Sequence, residues 1–181
     1  MGRTTALSDM LFKVADGDNK AFEELYRLTY KPLFSFLVSL TSNLEDARDI
    51  MQETYLKVFV SAHLYKDSGN PLAWIMKIGK NIFLMQERSH NNEFVYMDNR
   101  DAVLSDIPFD SISDFETREF IQELFQILTQ QERSIIVLHE ISGFKHREIA
   151  DLLDLPLGTV LSKYNRAIRK LRSHVMLEES R

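Results

Sequence analysis

The stretch IADLLDLPLGTVLSKYNRAIRKL, Ile149 to Leu171, divides into a short helix, a turn and a basic helix. Ile149, Ala150, Leu152 and Leu153 repeat at helical spacing, and Asp154-Leu155-Pro156 supplies the residues of a tight connection. The helix that follows, from about Leu157 to past Leu171, has two clean faces. Val160, Tyr164, Ala167 and Leu171 form one and should pack inward. Thr159, Ser162, Lys163, Arg166, Arg169 and Lys170 form the other, with no acid among them. A basic amphipathic helix alone is most often a solvated surface. A short helix and tight turn before it make the arrangement a helix-turn-helix. DNA needs such a face: cations meet phosphates, forked or short polar side chains reach base edges in the major groove, and a carboxylate there would repel the backbone.

Upstream, Thr129 followed three residues later by Glu132 has capping-box form. The helix it opens should run through Ile135, Ile136, Leu138 and His139 and stop at Gly143. Phe120, Leu124 and Ile127 give a preceding helix in a C-terminal module that starts near Phe115. Residues 91–116 are acidic, contain Pro108 and show no sustained period, so they read as a linker.

The N-terminal part is helical as well. Asp16-Gly17-Asp18 separates a short first helix from a longer one, and Pro32 inside the second predicts a restart or kink. Thr41-Ser42-Asn43 is a polar stop able to cap the next helix. On residues 44–62, Leu44, Ala47, Met51, Tyr55, Val58, Phe59 and Ala62 share a core face at 100° per residue. The opposite face mixes Asp46, Asp49, Glu53 and Lys57 with Ile50, Leu56 and Val60. Pattern alone leaves two readings: a helix buried on two sides, or an interaction surface. Residues 66–71 form a loop, and Pro71 opens a helix with Trp74, Ile75, Ile78 and Ile82 at helical spacing, ending near residues 88–92. The expected fold is all-α: two small helical domains, residues 1–90 and 117–181, joined by the acidic linker 91–116.

Composition narrows the function classes. The 181 residues are 44% hydrophobic, with six Gly, four Pro and no Cys. Thiol catalysis, disulfides and cysteine-bound zinc are thereby excluded. No apolar run approaches the roughly 20 residues that span a bilayer, and the N-terminus lacks a signal-peptide core, so a soluble cytoplasmic protein without membrane insertion is expected. The net charge of −5 is unevenly spread. Residues 1–90 hold 11 basic and 11 acidic groups, residues 91–131 hold 2 and 9, and residues 132–181 hold 9 and 7. A small basic surface therefore sits in an acidic chain. His139-Glu140 does not continue to a second His at metal spacing, and no Gly-rich phosphate loop is present. No catalytic residue, metal or cofactor is expected.

Longer patterns in both halves are similar to a known family. Gly17 to Tyr26 (GDNKAFEELY) resembles the opening of sigma-70 region 2 in extracytoplasmic-function (ECF) sigma factors. Glu45 to Phe59 resembles their D-A-x-D-L-x-Q-E-T-F-L-x-x-W segment, and Asn70 to Asn81 their P-x-A-W-L-x-x-I-A-x-N segment. Leu128 to Leu171 resembles region 4, with Pro156-Leu157-Gly158-Thr159-Val160 before the recognition helix. Four ordered motifs cover nearly the whole chain except the linker and the extreme ends.

The resemblance implies an initiation factor that binds core RNA polymerase and promoter DNA and catalyses nothing itself. Region 2 would dock on the clamp helices of β′ through Asp46, Asp49, Ile50, Gln52 and Glu53, acids and aliphatics suited to arginines around an apolar patch. It would also open and hold the −10 element, through Tyr65, Lys66, Asn70, Lys77, Lys80 and Asn81. Trp74 fits that site too, but a core role suits it better. Region 4 would read the −35 duplex through Thr159, Ser162, Lys163 and Arg166, with Lys170, Lys145 and Arg147 near phosphates, and would contact the β flap. An anti-sigma factor is an implied partner. Four positions depart from the family pattern. Leu161 replaces a common Lys or Arg, Met85 replaces an Asp, Arg88-Ser89 replaces an Arg pair, and Lys145 replaces a capping Ser. The rival class is a stand-alone helix-turn-helix regulator with a sensory N-terminal half.

Overall fold

The computed structural model describes residues 2–67, 70–93 and 127–178. Among them every regular element is helical. The chain divides into two compact units, residues 1–101 and 102–181. The expected linker from residue 94 onward, the module start near Phe115, and Phe120 and Leu124 lie outside the described residues.

In the first unit, α1 spans Gly2–Ala15, α2 Asn19–Thr41, α3 Leu44–Ser61 and α4 Pro71–Glu93, with a 3-10 turn at Ala62–Leu64. Local chemistry sets each boundary. Gly17, at φ +87°, turns the chain out of α1, where a Cβ would be strained. The Asp18 carboxylate then accepts from the backbone N–H groups of Lys20 and Ala21 and starts α2. Asn43 caps α3 in the same way through Glu45 and Asp46. The Asn70 amide oxygen accepts from Leu72 N–H, and Pro71 occupies the first position of α4, where its missing N–H costs nothing.

At Pro32 the structure differs from the expectation: α2 neither restarts nor ends there. Nine consecutive residues, Pro32 to Leu40, are buried. Their packing outweighs the roughly 3 kcal/mol that an interior proline costs a helix. Gly79 brings α4 close, since a Cβ on it would sit 3.1 Å from both Leu37 Cδ2 and Thr54 Oγ1. Tyr55 bonds Thr29 Oγ1 at 2.8 Å across the α2–α3 contact, and burial raises its phenol pKa.

In the second unit, α5 spans Gln130–Ile136 and widens into a π-turn at Val137–Ile141. There Ser142 N–H reaches back five residues to Val137 O. Helix α6 covers His146–Leu153 and α7 Leu157–Glu178. The capping box at the head of α5 is complete. Thr129 Oγ1 accepts from Glu132 N–H, and Glu132 Oε2 accepts from Thr129 N–H. Lys145 has no side-chain acceptor to cap α6, but its backbone N–H donates to Glu148 Oε2 at 2.8 Å. Asp154 closes α6 in the left-handed region, φ 54°, where Asp is among the few tolerated non-Gly residues. Ile135, Ile136, Leu138, Phe144, Ile149, Val160 and Ala167 fill the core of this unit.

Candidate nucleic-acid and polymerase interface

Helix α6, the Asp154–Pro156 turn and α7 form the helix-turn-helix, with Val160 and Ala167 wholly buried against the rest of the unit. Opposite them, Ser162, Arg166 and Arg169 are exposed, and Thr159, Lys163 and Lys170 are half-buried. Lys145 and Arg147, at the head of α6, are exposed as well. Ser162 Oγ donates to Thr159 O and Arg169 Nε to Asn165 O, so both side chains have intrahelical resting positions. Arg166, Arg169, Lys170, Ser173 and His174 line an open groove of about 570 Å³ with Ile127. The face thus presents donors and cations only, as its sequence indicated.

Lys170 is less free than its neighbours. Its Nζ donates to Glu132 Oε2 at 2.7 Å, and the Glu132 side chain is 1% exposed. Burial pushes the Glu132 carboxyl up, but the Lys170 and Thr129 hydrogen bonds outweigh it and hold the group below the usual carboxylate value. The pair locks the start of α5 to the middle of α7.

A second cluster had no sequence signal. The π-turn brings His139 to 4.4 Å from the His146 ring, and Tyr164 stands edge-on to both. Tyr164 donates to Glu140 Oε1, and His139 Nδ1 lies 2.8 Å from Phe144 O. His146 Nε2 is buried without a hydrogen-bond partner among the described residues. Burial, then the neighbouring His139, lowers the His146 pKa against a smaller opposing effect of Glu140. Among the described residues no three His or acidic groups are placed to hold a metal.

In the first unit, Asp49 and Gln52 are exposed and Asp46 and Glu53 half-buried. Glu53 pairs with Lys57 at 3.1 Å. Leu56 and Val60 continue this face into solvent, 69% and 72% exposed, and Leu64 extends it past the helix end. Ile50 is corrected. At 1% exposure it belongs to the core, because α3 is enclosed by α1, α2 and α4 over a wider arc than one face.

The expected −10 residues separate into two sets. Lys66, Lys77 and Asn81 are exposed. Tyr65 and Lys80 are buried, which corrects their placement on a surface. The Tyr65 ring packs on Phe12 and Trp74, so Trp74 has a packing role as expected. Lys80 follows Gly79 on α4 and is only 5% exposed. Asn70 spends its amide oxygen on the α4 cap.

The sigma-70 region 2 family matches residues 25–93, and sigma-70 region 4 matches residues 118–171. The ECF RNA polymerase sigma factor EcfG of Rhodopseudomonas palustris is 30% identical over 139 residues, covering 77% of this chain and 76% of that protein. The chain belongs to the ECF sigma-70 family. As a sigma factor it directs promoter-specific initiation by RNA polymerase. SigW of Bacillus subtilis, another ECF sigma factor, is 23% identical over 175 residues, 90% of this sigma factor and 93% of SigW. Among solved structures, the sigma factor RpoE of Bartonella quintana, crystallised with the anti-sigma factor NepR, aligns with a TM-score of 0.69 at 25% identity. It covers 87% of this sigma factor and 98% of that chain. CnrH, solved with the cytosolic domain of CnrY, shares the fold, with a TM-score of 0.66 at 20% identity over 95% of this chain and 98% of its own. Among the described residues no helix is long and apolar enough to cross a membrane.

Proposed function

We propose that residues 1–90 bind core polymerase and the −10 element, that residues 117–181 read the −35 duplex, and that residues 91–116 link them. The acid-free outer face of α7, set as the second helix of a helix-turn-helix, carries this reading. Arg166, Ser162, Lys163 and Thr159 reach base edges. Arg169, Lys145 and Arg147 meet phosphates, and Lys170 does so only by giving up Glu132. In the first unit, Asp46, Asp49, Gln52 and Glu53 precede the exposed Leu56 and Val60 along α3, a mixture that fits arginines beside an apolar patch on β′. Lys66, Lys77 and Asn81 touch the opened −10 strand. An anti-sigma protein, as NepR is for RpoE, is a further partner. The factor works where polymerase works, in the cytoplasm, and contributes no catalytic group of its own.

The test is co-elution of the purified chain with sigma-free core polymerase, followed by transcription from a library of genomic fragments. New start sites on templates that core cannot use support the reading. Separate elution together with tight operator binding would instead mean a free-standing regulator. Arg166→Ala weakens promoter binding by about 1–3 kcal/mol, the worth of one good base or phosphate contact. Core affinity stays unchanged, as competition with a second sigma factor will report. Conversely, Asp49→Ala with Glu53→Ala reduces core affinity by about 1 kcal/mol, two partly screened charges, without shifting the thermal midpoint.

A further inference from the structure

Helix α1 lies outside the family-matched segment 25–93, yet it reaches the −10 loop. Ser8 is 3% exposed, and its Oγ stands 3.0 Å from Tyr65 Oη and 3.0 Å from Asp67 Oδ1. A serine hydroxyl has one proton. That proton goes to the Asp67 carboxylate, which can only accept, so Tyr65 donates to Ser8 at 3.0 Å, with Asp67 Oδ1 a more distant acceptor for it at 3.5 Å. Two hydroxyls in series thus tie α1 to the chain on either side of Lys66. Phe12, one turn further along α1, packs against the same tyrosine with ring centroids 5.7 Å apart. Tyr65 is buried beneath the loop while Lys66 is exposed above it. At the far end of the loop Asn70 is held by its capping bond to Leu72.

We infer that Ser8 is a positioning residue for −10 recognition: through Tyr65 and Asp67 it fixes the segment from which Lys66 faces the opened strand. This rests on the assignment of Lys66 and Asn81 to the −10 element. Without the Ser8 proton, the Asp67 carboxylate and the Tyr65 hydroxyl lose their shared partner, and the backbone between them samples other conformations. Unlike a loss of folded protein, this alters how well one base is told from another.

The experiment uses the full chain with core polymerase and the strongest template from the genomic library. Single base-pair changes are made in its −10 and −35 segments, and each rate is divided by that of the parent template, so the fraction of active protein cancels. In Ser8→Ala, the penalty for −10 changes shrinks by about two- to tenfold, the worth of a buried hydrogen bond, while −35 penalties hold. Tyr65→Phe, which keeps the ring packing, does the same, and the double variant is no worse than either single. An equal loss on every template overturns the inference, since Ser8 then serves folding alone. Asn81→Ala separates the two levels of the argument. If it shrinks the −10 penalties and Ser8→Ala does not, the positioning role is wrong and the −10 assignment stands. If neither does, both are wrong.

Discussion

Glu132→Ala destabilises the C-terminal unit by about 2–4 kcal/mol, in the range for breaking a buried, hydrogen-bonded charge pair with one half-exposed member. The carboxylate satisfies Thr129 N–H and Lys170 Nζ together. Removing it leaves a helix-start N–H and an ammonium, 35% exposed, without their shared acceptor. That partial exposure keeps the loss below that of a wholly enclosed pair. Glu132→Gln costs less, because an amide oxygen still accepts from Thr129. The sign with pH follows from the direction of the shift. The folded carboxyl lies below its ordinary value of 4.5. Its contribution is therefore complete above that value and is lost as pH falls through the lower folded value. Urea unfolding followed by circular dichroism at pH 7 and at stepwise lower pH will show wild type and Glu132→Gln converging in acid. A constant gap between them would mean that the charge does not matter.

Ile50→Ala costs the N-terminal unit about 2–4 kcal/mol, the usual toll for truncating a fully buried aliphatic side chain. Folded protein retains its affinity for core polymerase. This outcome is opposite to that of the changes at Asp49, the preceding residue, and Glu53, about one turn on, where affinity falls and stability holds. Denaturant midpoints measured beside competition for core polymerase separate the two. A selective affinity loss in Ile50→Ala at unchanged midpoint would return Ile50 to the docking face.

The difference at Ile50 shows where reading by periodicity stops. Helix boundaries were legible because Gly17 makes the break, and Asn43, Thr129 and Glu132 make the caps, that the sequence suggests; the Asp18 cap was not read. The outer face of α7 was legible because acids are missing from it. On α3 the predicted core face was centred on Leu44, Met51 and Tyr55. The buried residues also include Ile50 and Thr54, while Phe59 is 43% exposed. The true stripe is turned by roughly 40° at 100° per residue. Which neighbours flank a helix fixes that angle, and the helix's own sequence does not contain it. The same holds for pairs far apart in the chain: Ser8 with Tyr65 and Glu132 with Lys170 are joined by packing alone. The π-turn at Val137–Ile141 is equally silent in sequence, and the ring of His139 within it lies 4.4 Å from that of His146.

The enclosed second half of α2 has a consequence during synthesis. Pro32 to Leu40 are covered on all sides in the finished protein, yet they leave the ribosome well before α3 and α4, which cover them. At about 5–20 residues per second, this greasy stretch stays naked for several seconds until the nascent chain reaches Glu93. A synonymous slow codon run between α2 and α4 would prolong that interval, and chaperone demand should rise with it.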